Sequence, residues 1–203
     1  MATTTDKPTF PLVSSFADIP IIAEDGVDTT KFLEAVEALL AMFATFKFKA
    51  FDKVNDDMKG NVDVCTKIRN RQLAAPSESE TLQSLVLNEL KTKKHVATEG
   101  LVWLVRSLDF ILNALGHTNK NPDQELADSF RDAYGKTLSK HHSWVVKPVF
   151  SAAMTFTPYR KDFYSKLGSD EVEVSAELEK ELAALERVVN ILKTFQDTKE
   201  AKW

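Results

Sequence analysis

Three groups of residues in this chain have types and spacings suited to recognition chemistry. Asp57 and Asn61 stand at i and i+4 in Asp57-Met58-Lys59-Gly60-Asn61. On a helix that spacing sets a carboxylate acceptor beside an amide that both donates and accepts, although a solvated surface turn uses the same residues. The second group is His141-His142-Ser143-Trp144-Val145-Val146-Lys147-Pro148-Val149-Phe150. Read as a helix at about 100° per residue, His142 shares a face with Val145, Val146, Val149 and Ala153 and points inward, while Trp144 projects about 200° away, towards solvent. An inward His serves a core or a ligand; an outward Trp beside Lys147 packs under a loop or meets a membrane interface. The third is Trp103 and Phe110, seven apart. They lie nearly opposite the broad face made by Leu101, Leu104, Val105, Leu108, Ile111, Leu112 and Leu115. A helix apolar on two faces is a covered middle layer, or separates a core from an apolar cavity.

No arrangement points to an enzyme. No Ser, Cys or carboxylate pair is set beside a base, no Gly-rich phosphate loop occurs, and the 4 His residues lack metal-ligand spacing. Neither a cofactor nor a metal is expected. The single cysteine, Cys65, excludes an internal disulfide and fits a reducing cytosol. With 26 Lys and Arg against 30 Asp and Glu, the net charge of −4 argues against a nucleic-acid partner.

The elements that position these residues read as helix after helix. Apolar residues recur at three and four over Thr30 to Phe48, Phe51 to Leu73, a segment opened by a Ser77-Glu78-Ser79-Glu80 capping box and running to His95, and Thr98 to Leu115 before Gly116. Further helices are expected from the Asn121-Pro122-Asp123-Gln124 cap to Leu138, over His141 to Phe156 with a kink at Pro148, and over Val174 to Phe195. No alternating strand, repeat, linker or membrane-spanning run of roughly 18 to 20 apolar residues is visible. The expectation is one all-α domain, residues 1–203, of seven or eight helices, without a secretory leader.

Asp57-Met-Lys-Gly-Asn61, Gly100-Leu-Val-Trp103-Leu-Val-Arg106-Ser-Leu108 and His141 through Phe150 to Pro158-Tyr159-Arg160-Lys161-Asp162-Phe163 together resemble the glycolipid transfer protein family. The likeness extends from about Phe10 to Trp203. Asn88-Glu-Leu-Lys-Thr-Lys and Leu126-Ala-Asp-Ser-Phe-Arg look most like its fungal, heterokaryon-incompatibility C branch. The resemblance implies a two-layer sandwich of about eight helices and carriage, or sensing, of a glycosphingolipid of the glucosyl-, galactosyl- or lactosylceramide type. Its sugar would rest at a polar surface site and its ceramide in an apolar pocket between layers.

Carried over by position, Asp57 would accept the ceramide amide and a sugar hydroxyl, Asn61 would bond the sugar, Trp103 would stack on it and His142 would donate to the ceramide carbonyl. Phe110, Val145, Val149 and Phe150 would line the ceramide pocket. Trp144, Lys147 and Tyr159, helped by Arg160 and Lys161, would touch the membrane briefly, from the cytoplasm. The family places a Lys three residues after the Asn, where this chain reads Asn61-Val62-Asp63-Val64-Cys65-Thr66-Lys67. On an unbroken helix Val64 takes that place and Lys67 lies about 60° round, nearly a turn further on; a bulge would restore Lys67. Two alternatives accompany this reading: a ceramide-1-phosphate carrier, and a helical interaction module with impaired lipid binding. The first would place cations where Asn61 and Trp103 stand, since a phosphate needs charge-assisted donors.

Overall fold

The computed structural model describes residues 10–22, 25–45 and 51–203, with the backbone alone over 51–62. Among the described residues there are eight α-helices: α1 Thr29–Ala44, α2 Phe51–Ala74, α3 Leu82–Lys91, α4 Val96–Lys120, α5 Leu126–Lys136, α6 Val146–Met154, α7 Arg160–Leu167 and α8 Glu171–Asp197. The all-α expectation holds, with one addition that period alone did not reveal. Ile21–Ile22 (β1) and Gly26–Val27 (β2) pair antiparallel in a minimal hairpin ahead of α1.

The helix ends show where local signals were overridden. Asp28 caps α1 by accepting from the Lys31 N–H at 2.8 Å. The expected end of this helix, at 46–48, lies outside the described residues. The Ser77–Glu80 capping box does not form: Pro76–Glu78 is a 3₁₀ turn, and the box appears at Thr81, with reciprocal bonds to Ser84. The cause is tertiary. The Thr29 N–H donates to the Glu80 carbonyl at 3.0 Å and Asp28 bridges Thr81, so the chain stays extended until Thr81. Gly116 does not stop α4, which continues to Lys120, where the Asn121 side chain donates to the His117 carbonyl at 2.7 Å. Asn121–Gln124 forms a turn, and α5 starts only at Leu126.

The largest departure concerns 141–156. Leu138–Lys140 is a 3₁₀ turn, 141–145 is non-helical, and α6 begins at Val146. Pro148 is the third residue of α6, in the first turn, where its missing N–H removes no intrahelical bond. It therefore marks a helix start and not a kink.

Helix α4 is the spine. It packs against α2, α3, α5 and α8, with Leu101, Leu104, Val105, Leu108 and Leu115 buried on one side and Phe110 on another. Helix α8 lays the stripe Leu178, Leu182, Leu185, Val188, Val189 and Leu192 against it, all buried. Asn119 ties α4 to both later helices: its Oδ1 accepts from Tyr164 Oη at 2.8 Å and from Ser175 Oγ at 2.7 Å. The start of α4 has no side-chain cap from His95; instead the buried Glu89 of α3 accepts from the Ala97 N–H, the Thr98 N–H and the Thr98 hydroxyl at 3.0, 2.7 and 2.7 Å. A carboxylate at a helix N-terminus satisfies orphan donors and the helix dipole together. Glu89→Gln is expected to lower unfolding free energy by about 1.5–3 kcal/mol, read by urea denaturation, because a charged acceptor of several bonds is replaced by a neutral amide; an unchanged midpoint would overturn this role.

Candidate functional site

The three sequence groups converge only in part. Trp103, on α4, meets the non-helical 141–145 segment: its ring lies 6.1 Å from His142, with 26° between planes, and His141 meets it edge-on at 6.4 Å. Behind His142 the aromatic contacts continue inward. His142 touches Phe150 of α6 at 4.9 Å, Phe150 stacks on Tyr134 of α5 at 4.9 Å and 19°, and Phe110 meets both Phe150 at 6.0 Å and Phe130 at 5.6 Å. Tyr134 Oη lies 3.1 Å from His142 Nδ1. A phenol donating to Nδ1 holds the proton of a neutral imidazole on Nε2, leaving Nε2–H as a donor.

His142 thus faces inward, as expected, but for a different reason. It sits in a turn, so it shares no helical face with the valines. Val145 and Val149, expected in an apolar pocket, are 56% and 45% exposed, because α6 turns that side to solvent. Phe110 and Phe150, expected to line the ceramide pocket, are buried and fill the space between α4, α5 and α6 by packing on each other. The apolar seam between Phe10, Leu39, Ile111 and Leu178 encloses only about 20 Å³.

In front of Trp103 lies an open cleft of about 530 Å³, bounded by Val64, Lys67, Gly100, Trp103, His142 and Val146. Asp63 stands on the same rim. Helix α2 is unbroken from Phe51 to Ala74, so no bulge intervenes before Lys67. Val64 is buried against α4; a β-carbon at Gly100 would approach its Cγ1 to 3.2 Å, so the glycine permits this close approach of the two helices. Lys67 is half-exposed and pairs loosely with Asp63 at 3.8 Å. Asp57 and Asn61 lie on α2, but their side chains fall outside the described residues. Asp57 is two turns before Val64, about 10 Å along the axis.

The expected docking residues divide sharply. Trp144 is 84% exposed and Tyr159 72%, and Lys147 is also exposed. Val145, Val149 and Phe156 are further large apolar residues left exposed. Arg160, by contrast, is buried: it lies 4.0 Å over the Tyr164 ring and pairs with Glu171, so it braces α7 against α8 and cannot reach a membrane.

Sequence reasoning overlooked Tyr134 and His141. Tyr134 follows Phe130 by four, a spacing that marks one face of α5. His141 has its pKa lowered by burial first and then by the positive charges of Arg106 and Lys140 and by His142, so it is neutral at pH 7. Because the folded state resists its protonation, this group opposes folding as pH falls below the ordinary His range. In a ¹H–¹⁵N titration the His141 midpoint is expected below that of an unperturbed histidine, and Lys140→Gln should raise it; a midpoint at or above the ordinary value would overturn the assignment.

Comparison with known proteins converges on one family. The family model described as glycolipid transfer protein matches residues 27–169. A glycolipid transfer protein of Aureobasidium melanogenum is 56% identical over 193 residues, 95% of this chain and 94% of its own. Among solved structures, HET-C2, a fungal glycolipid transfer protein, superimposes with a TM-score of 0.87 at 52% identity, covering 95% of this chain and 97% of its own. FAPP2, described as selecting simple glycosphingolipids with this fold, matches at a TM-score of 0.82 and 28% identity over 93% of this chain and 94% of its own.

Proposed function

Since this chain belongs to the glycolipid transfer protein family, we propose that it carries simple glycosphingolipids between membranes, presenting the sugar to Trp103 and the ceramide linkage to His142. The observation that carries the reading is the Trp103–His142 pair at the head of the 530 Å³ cleft. An indole offers an apolar face to the C–H side of a pyranose. His142, held through Nδ1 by Tyr134, offers Nε2–H to a carbonyl. In this assignment Asp57 takes the ceramide amide and Asn61 the sugar hydroxyls, both from α2.

The ceramide chains follow the aromatic contacts inward. Phe110, Phe150 and Tyr134 are packed on one another, so entry of an acyl chain requires Phe150 to swing aside with α6. The exposed valines on that helix and the neighbouring Trp144 support membrane contact at the same place. With a net charge of −4, partitioning of a few aromatics explains brief contact better than a polybasic anchor does. No described helix is long and apolar enough to cross a bilayer. No metal or cofactor is called for, and no chemical step.

The phosphate-headgroup alternative finds little here. The cleft rim offers the apolar Val64 and one cation, Lys67, already beside Asp63.

Transfer of a fluorescent glucosylceramide between phosphatidylcholine vesicles tests the proposal, with ceramide-1-phosphate alongside. Trp103→Ala is expected to slow glycolipid transfer at least about tenfold, a loss of ~1.4 kcal/mol or more. No transfer of either lipid would replace the carrier reading with an interaction module. Trp144→Ala should reduce vesicle partitioning and transfer while sparing binding of a short-chain, water-soluble glucosylceramide. Loss of both would place Trp144 in the site instead.

A further inference from the structure

A second concavity, independent of what the Trp103 cleft carries, lies on the other side of Arg106. It occupies about 420 Å³ between α4, the turn ending at His141, and the chain that follows α8. Its charged walls are Arg106, Lys140, Lys193 and Lys202 against Asp109 and Asp197. Both carboxylates are already engaged: Lys193 Nζ lies 3.0 Å from Asp109 and Lys202 Nζ 3.5 Å from Asp197. Arg106 and Lys140 have no carboxylate partner among the described residues, so the pocket holds two uncompensated cations in a chain whose net charge is −4. Long-range repulsion from that net charge is screened beyond about 8–10 Å at physiological salt, and the local excess governs what enters.

The remaining walls suit a small organic anion. Trp203 stands at the edge, stacked on His95 at 5.7 Å and 24°, and with Val102 and Ala201 it forms an apolar side. His141 supplies a ring that burial and the adjacent Arg106 and Lys140 keep neutral, so it can donate one hydrogen bond without carrying charge. Arg106 lines this pocket and not the Trp103 cleft, although its guanidinium carbon lies 4.9 Å from the Trp103 ring centroid.

We propose that this pocket is a binding site for a phosphate ester, with Arg106 and Lys140 holding the phosphate oxygens and Trp203 covering the carbon next to the ester. A phosphomonoester carries close to two negative charges at neutral pH and offers three strong acceptors, which matches a forked guanidinium and a mobile ammonium better than a carboxylate or a sugar would.

Calorimetric titration of the full chain at low ionic strength with glycerol 3-phosphate and with inorganic phosphate tests the site, beside flotation with phosphatidylcholine vesicles with and without phosphatidic acid. Saturable binding in at least one arm is expected, weakened about tenfold by Lys140→Gln and retained by Lys140→Arg. Binding of the soluble phosphates assigns a free metabolite-like anion; flotation that needs phosphatidic acid and Lys140 assigns a lipid headgroup. Silence in all arms overturns the proposal, as does binding that Lys140→Gln leaves unchanged. Lys140 is exposed and outside the glycolipid cleft, so Lys140→Gln should transfer glucosylceramide normally. Failure here therefore leaves the carrier reading standing, and failure of transfer leaves the anion titration interpretable.

Discussion

The structure depends on the fact that α4 carries buried apolar side chains on two faces. A helix apolar on two faces loses stability unless both are covered, so it dictates that other helices lie on each side of it. One cover is made by α8 with its uninterrupted leucine and valine stripe, the other by α2, α5 and α6. The site is a consequence of this arrangement. Trp103 belongs to the second face, near the N-terminal end of α4, where the covering helices part. Its ring therefore ends up half-exposed instead of sealed in. The Glu89 carboxylate beneath that end satisfies the first amides of α4, those of Ala97 and Thr98, which precede Gly100 and Trp103 on the same helix.

The second determinant is an interruption. The five residues 141–145 lie between a 3₁₀ turn and α6, and that break lets His142 turn towards Trp103 while Trp144, two residues later, turns out to 84% exposure. A continuous helix would spread the same residues around a cylinder. One short turn thus turns two residues, two positions apart, in opposite directions, one into the cleft and one out to the surface.

How much of this could be read from the residues alone follows from the range of the forces involved. The α8 stripe and the two faces of α4 were legible because burial imposes a 3.6-residue period on the sequence itself. The inward His and outward Trp were also legible, though through a helical wheel that does not exist there. Pro148 was the misleading signal: proline looks the same in the first turn of a helix as at a kink, and only the fold distinguishes them. The displaced cap at Thr81 illustrates the same limit, since a bridge to Asp28, more than fifty residues earlier, decides where α3 begins. Arg160 was placed at the membrane because an Arg between Tyr159 and Lys161 reads as surface charge. The Tyr164 ring, one helical turn on, was within reach of spacing, but Glu171, eleven residues later and in the next helix, was not.

The spacing from Asn61 to Val64 and Lys67 raises the question of what fixes the placement of α2. Packing supplies the answer. Cys65 and Ile68 are buried in the core, 2% and 0% exposed, and burial pushes the Cys65 thiol up to about 12, so it remains a neutral, inert packing group. These two residues fix the rotation of the C-terminal half of α2 against its neighbours. With that rotation fixed and the helix unbroken, Val64 must press on Gly100 and Lys67 must stand at the rim beside Asp63. A shift of α2 is then confined to its N-terminal half, which carries Asn61 and Asp57, because moving the other end would take apolar side chains out of the core. The cleft wall contributed by α4 and the 141–145 turn is thereby held independently of the N-terminal half of α2. In the carrier reading proposed above, selectivity among sugars therefore depends most on where α2 places Asn61 and Asp57, and stacking on Trp103 depends on it least.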